Sequence, residues 1–181
     1  MARRIGLPLR CGGSLTASKI EDAQAAYESA DSMHSTMLAG AHFVLHAAGW
    51  MEGGLCASFE KFVIDCELLQ QFAYYQKPIG VSDEDLAVDA IRDVGPSGHF
   101  LGADHTQSRF KDAYYSPFLS DWRNFESWEQ SGSIETPMRA NRIYKEVLAE
   151  YVEPPMASAI REELTEFVKR RKKEGGAPTD F

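Results

Sequence analysis

The sequence predicts an α/β fold that is mostly helical, with two βα units followed by an all-helical extension. Three observations carry this. Two short apolar runs, "LPLRC" (Leu7–Cys11) and "HFVLHAA" (His42–Ala48), each lead into a glycine-bearing turn and then into a segment of helical periodicity. The second run is apolar on both faces, as a buried parallel strand should be. From Ser82 onward the pattern is helix alone.

Each element has its own warrant. Ala2–Ile5 read as a last helical turn stopped by Gly6. After the first strand, "GGSLTASK" is a glycine-rich loop, and Ala26, Tyr27, Ala30, Met33, His34, Met37 and Leu38 recur at helical spacing over roughly Glu21–Leu38. The helix after the second strand carries Phe59, Phe62, Val63, Cys66, Leu69 and Ala73, expected as its buried face. Ser82 with Asp85 forms a capping box ahead of Leu86, Ala90, Ile91 and Val94. Thr136 and Pro137 open a helix whose expected buried face is Ile143, Val147, Leu148 and Tyr151. Pro154-Pro155 breaks the chain before a final helix bearing Met156, Ile160, Leu164, Phe167 and Val168. That helix ends in "KRRKK" (Lys169–Lys173), a solvated terminus well placed against the macrodipole. Two strands cannot make a stable sheet unaided. The chain therefore reads as the C-terminal part of a (β/α)8 TIM barrel, residues 1–80, followed by a helical extension, 81–174, and a flexible tail, 175–181.

Composition narrows the function. The 181 residues carry a net charge of −8, which argues against a nucleic-acid surface. No apolar run is long enough for a membrane span, and the N-terminal "MARRIGLPLRCGG" is broken by proline and glycine before a signal segment can form. The three cysteines Cys11, Cys56 and Cys66 have no paired spacing. A cytoplasmic protein with reduced thiols is expected.

"GLPLRCGGSLTASKIEDAQAAYES", "HAAGWMEGGLCASFEKFVID", "DVGPSGHFLGADHT", "SPFLSDWRNFESW" and "ANRIYKEVLAEY" together resemble the trimethylamine:corrinoid methyltransferase family, in order and over nearly the whole chain. The resemblance covers what looks like the last third of the family's chains. It implies a (β/α)8 barrel that moves a methyl group from a methylated amine to the Co(I) of a separate corrinoid protein. No cofactor would be bound directly; the corrinoid, a cobalamin, comes on the partner. The best-known members carry pyrrolysine in the loop after the penultimate barrel strand. Alignment on Gly6–Pro8 and Lys19 puts that position at Leu15. A tertiary amine is a poor methyl donor without activation, whereas a quaternary ammonium leaves as a neutral amine. The departure at Leu15 thus implies a betaine-like substrate.

In barrel enzymes the chemistry sits at the C-terminal ends of the strands. Gly12, Gly13, Ser14, Leu15 and Thr16 lie at one such end, and Gly49, Trp50, Met51 and Glu52 at the next. The glycines permit close backbone approach or positive φ, in a pocket-shaping loop or a plain turn. Trp50 can offer its ring face to a cation, or simply pack on a helix; Phe100 is a second candidate for the first role. Glu52 can neutralise the cation. His42 and His46 are four apart on a strand, hence on one side; His46, nearer the strand end, is the pocket candidate. His34, on an apolar helix face, reads as a core histidine, and Phe43, Phe59, Trp122 and Trp128 as core.

The loop "VGPSGHFLGADHT" (Val94–Thr106) holds His99, Asp104 and His105 without any local zinc spacing. It reads as a pocket rim, with His99 and Phe100 as substrate contacts and Asp104 as the cap of a helix starting near His105. Direct contact with the corrinoid protein and a metal site are the alternatives, and the resemblance implies no metal. The competing function is a non-catalytic, truncated module that self-associates through its barrel strands; homo-oligomerisation is expected in either case.

Overall fold

A computed structural model describes residues 1–175, so the tail expected at 175–181 lies outside the described residues apart from Gly175. Helix dominates, and the strands are short. Strand β1 (Arg10–Cys11) pairs in parallel with β2 (Phe43–Val44), with Arg10 opposite Phe43, and helix α1 (Ala23–Leu38) is the crossover between them. This is one βαβ unit. Strands β3 (Trp50–Met51) and β4 (Cys56–Ala57) form a small antiparallel hairpin that the sequence did not announce. Helix α2 (Phe59–Tyr75) follows. The sheets do not close into a barrel among the described residues.

Both predicted strands are shorter than expected, two residues in place of five and seven. A strand lasts as long as its ladder has partners, and β1 finds only β2 here. The same shortage leaves Phe43 60% exposed where a core residue was expected. His46 is not on the strand at all: its φ of 58° puts it in the left-handed region, so the predicted same-face pair with His42 dissolves. His42 instead accepts the Leu9 N–H through Nδ1 at 3.0 Å.

Helix α1 starts two residues later than expected because the Asp22 side chain caps it by accepting the Ala25 N–H. Helix α2 is capped by Ser58, which accepts from Lys61 N–H. Its buried residues are Lys61, Val63, Asp65 and Glu67; of the predicted face Val63 is buried and Cys66 and Leu69 are half-buried, while Phe59 and Phe62 are exposed. The reason is that two i,i+4 pairs face two different neighbours. Lys61 and Asp65 meet α1 and the strand-end loops, while Val63 joins Leu119 and Ala140 in the core and Glu67 accepts the Phe118 and Leu119 N–H groups at 3.1 and 3.0 Å.

The extension contains α3 (Asp83–Leu86) and α4 (Val88–Val94), separated at Ala87 by a φ of 53°. The predicted Ser82–Asp85 capping box is present. Helix α5 (Asp104–Arg109) has Ala103 at its cap without a side-chain bond, so Asp104 is a first-turn residue and not the cap. Helix α6 (Phe125–Gln130) places Trp128 half-buried, its Nε1–H donating to Ile134 O at 3.3 Å, while Trp122 is exposed. His34 is likewise exposed, its ring 6.0 Å from that of Phe72. Helix α7 (Thr136–Ala149) buries Ala140 and half-buries Ile143 and Tyr144; Val147, Leu148 and Tyr151 stay exposed.

The chain divides into two compact units, Met1–Glu146 and Val147 onward. The second contains helix α8 (Ser158–Lys173), which begins just past Met156 and keeps its four basic last-turn residues as expected. No helix among the described residues is long and apolar enough to cross a membrane.

Candidate functional site

The loop after β1 is held from behind by a ladder of hydroxyls. Ser29, Ser32 and Thr36 follow one another at three- and four-residue spacing on α1, so they share a face. Thr36 donates to Gly12 O at 2.9 Å, Ser32 to Gly13 O at 2.7 Å and Ser29 to Ser14 O at 3.4 Å. On the other side the loop touches the end of β2 so closely that a Cβ on Gly13 would stand 2.7 Å from both Ala47 Cα and His46 O. Only glycine fits that position.

A second anchor acts further along. Glu28 accepts from Thr16 Oγ1 at 2.6 Å, from Ala17 N–H at 2.8 Å and from Gln24 at 2.9 Å. These donors hold its carboxyl below the ordinary glutamate range, the Thr16 hydroxyl most of all. The loop is then stitched to the hairpin turn, where Gly53 N–H donates to Thr16 O at 2.8 Å and Glu52 N–H to Ser18 O at 3.0 Å. Ser14 and Thr16 are thus buried, Thr16 serving the scaffold through its hydroxyl and Ser14 through its backbone carbonyl. Leu15 between them stays half-buried, its methyls reaching over Gly12 and Gly54, where added Cβ atoms would lie 3.8 and 3.5 Å away.

The second loop carries the groups with exposed chemistry. Trp50 is half-buried and meets the His46 ring edge to face, with centroids 5.1 Å apart at 89°. His46 and Glu52, on either side of it, both adopt positive φ, at 58° and 52°. Left-handed backbone at a non-glycine residue costs about 1 kcal/mol or more and persists only where the surroundings impose it. The Glu52 carboxylate is exposed and makes no hydrogen bond or ion pair among the described residues. Across the two joined loops the chain offers an apolar side chain at Leu15, an aromatic ring at Trp50 and an unpaired carboxylate at Glu52, the residue types that can accept a cation carrying methyl groups.

Structure therefore gathers Gly12, Gly13, Ser14, Leu15, Thr16, His46, Trp50 and Glu52 into two stitched loops. It does not bring His99 and Phe100 to them. Both are exposed, and no hydrogen bond, ion pair or ring contact joins them to the strand-end loops among the described residues. Their loop leans on α3–α5 instead, where His105 Nε2 lies 2.9 Å from Glu84 O and Arg109 pairs with Glu84 at 2.7 Å. No group of three or more His, Cys, Asp or Glu stands ready to hold a metal among the described residues.

Sequence reasoning missed the buried Lys61–Asp65 pair. Lys61 Nζ is 2.5 Å from Asp65 Oδ2, and both side chains are 1% exposed. Lys61 also donates to Ser29 Oγ at 2.8 Å and to Ser14 O at 3.4 Å, and Asp65 accepts the Gly49 N–H at 2.8 Å. Burial pushes the Asp65 carboxyl up, against the pull of Lys61 and the Gly49 N–H. The available signal was an i,i+4 opposite-charge pair inside the apolar run "FEKFVIDC". A cleft of about 670 Å³ opens elsewhere, lined by Ala25, Lys61, Trp128 and Arg139 among others, but no predicted site residue borders it. Its arginines are engaged, Arg123 with Asp121 and Arg139 with the carbonyls of Leu119 and Ile134.

The fold is that of a mostly helical α/β protein whose strand-end loops are held by polar side chains and backbone groups. The chain belongs to the trimethylamine methyltransferase (MTTB) family, which it matches over residues 1–176. It is 39% identical over 176 residues to a glycine betaine methyltransferase of Desulfitobacterium hafniense, covering 97% of this chain and 36% of that protein. It is 33% identical over 170 residues to a trimethylamine methyltransferase of Methanosarcina mazei, covering 94% and 34%. A trimethylamine methyltransferase of D. hafniense is 31% identical over 176 residues, covering 97% and 35%. The chain thus spans about a third of the length of the curated relatives it matches.

Proposed function

We propose that the protein takes part in methyl transfer from a quaternary, betaine-like amine to the Co(I) of a cobalamin carried by a separate corrinoid protein, and that its βαβ unit belongs to the C-terminal part of a (β/α)8 barrel. The observation that carries this reading is Leu15. At the position matching the family's pyrrolysine stands an apolar side chain, packed over Gly12 and Gly54 on a loop that three α1 hydroxyls hold in place. A side chain with no electrophile cannot activate a tertiary amine. It can form a wall for a donor that needs no activation.

The chemistry balances without a proton. The methyl carbon is attacked in line, its C–N bond breaks and the electron pair leaves with nitrogen as a neutral tertiary amine. The Co(I) of a partner-borne corrinoid would supply the electron pair that receives the methyl group. What this chain would add is binding and orientation. The ring face of Trp50 attracts the cationic head with about 0.5–2 kcal/mol, according to how dry the site is. The Glu52 carboxylate adds charge attraction, and Leu15 excludes water. The likeness to a glycine betaine methyltransferase supports the same donor class.

The experiment is a methyl-transfer assay of the protein, with every further segment its gene encodes, together with its corrinoid partner reduced to Co(I). Loss of the Co(I) absorption on addition of a betaine, with release of the demethylated amine, is the expected result. A protein that is folded and self-associated, yet passes no methyl group from any methylated amine, supports the non-catalytic module in its place; the exposed Phe43 beside an unpaired strand edge is the feature that reading rests on.

A further inference from the structure

Lys61 and Asp65 sit where α1, the loop after β1 and the turn ahead of Trp50 meet. The Lys61 ammonium reaches α1 at Ser29 and the β1 loop at Ser14 O, and Asp65 holds the turn ahead of Trp50 by the Gly49 N–H. We infer that this buried pair is a positioning device that fixes the Leu15 loop and the Trp50 turn relative to one another. The inference rests on the functional reading above only for its consequence in turnover; the geometric claim stands by itself.

Three physical arguments favour positioning over plain stabilisation. A buried ion pair gains little over well-packed apolar side chains of the same size, because desolvation offsets the attraction. The hydrogen-bonding capacity of this pair is directed outward, to a serine hydroxyl, a loop carbonyl and a turn N–H, each on a different segment. Those contacts end one residue from Leu15 on one side and one residue from Trp50 on the other. Orientation of this kind is worth most in the transition state, where a displacement of about 1 Å lowers the rate on the order of 100-fold.

The test uses the double variant Lys61→Met/Asp65→Leu, which removes both charges together, in protein labelled with 5-fluorotryptophan. The expected result is a folded protein in which the fluorine resonance of Trp50 shifts and broadens while that of the exposed Trp122 stays. With the corrinoid partner and a betaine donor, kcat should fall on the order of 100-fold with KM changed much less, the mark of lost orientation. If the parent protein passes no methyl group, the functional reading fails and the Trp50 resonance alone decides the positioning claim. If the double variant does not fold, Asp65→Asn decides, and Trp50 must again move while Trp122 does not. A Trp50 resonance unchanged in the folded variant, or one that moves no more than Trp122, overturns the inference.

Discussion

Leu15 is half-buried between the buried Ser14 and Thr16. On the proposed reading, Leu15→Lys would bring an ammonium to the place where the donor's cation is to be held. Donor binding should weaken by about tenfold or more, read as KM for a betaine, since two like charges in a shielded site repel. Trp50→Ala should weaken the same binding by about 1 kcal/mol, measurable by calorimetry, through loss of the ring face. The Lys61→Met change alone strands the Asp65 carboxylate in a site 1% exposed. A loss of about 3–5 kcal/mol in denaturant unfolding is expected, well beyond that of the double variant. Equal losses in single and double variants would show that the pair acts by attraction alone.

At the scale of the element, α1 is a back-plate. Its hydroxyl ladder binds three successive carbonyls of the loop, and Glu28 binds the loop's far end. Gly13→Ala should cost about 1–3 kcal/mol in stability, because the new methyl would press on the backbone of Ala47 and not on a movable side-chain tip. Acid should loosen the same loop. Glu28 has its folded carboxyl lowered, so its contribution is complete above the ordinary glutamate range and is lost as pH falls through that range toward the folded value. Glu28→Gln should flatten that part of a stability-against-pH curve, followed by the denaturant midpoint at each pH.

Much of this was legible in the sequence. The two βα units, the Ser82–Asp85 capping box and the proline-opened α7 follow from local rules, and local contacts enforce them. The strand-end loops were legible too, since glycines after an apolar run mark them. What was not legible depended on neighbours. Strand length needs ladder partners, so Leu7–Leu9 and Leu45–Ala48 stayed outside the sheet. Three of the four buried residues of α2 are polar because they meet loop groups and a neighbouring helix that only the fold brings there, so of the predicted face Val63 is buried while Phe59 and Phe62 are exposed. His99 and Phe100 sit on a loop whose position the spacing of residues could not give.

For the whole molecule, the balance of covered and open surface matters. A two-strand parallel sheet is normally covered on both faces, yet Phe43 is 60% exposed here. Exposed apolar surface beside unpaired strand edges promotes association. The 181-residue chain produced by itself should self-associate at micromolar concentration, visible by light scattering; a stable monomer would mean that this edge is protected. Donor choice is decided by comparing initial rates of methyl transfer to the Co(I) corrinoid protein from a quaternary betaine and from trimethylamine, in the protein with all its encoded segments. Turnover is expected with the betaine and little or none with trimethylamine, because Leu15 offers a tertiary amine no activation. Trimethylamine reacting as fast as every quaternary donor would contradict it.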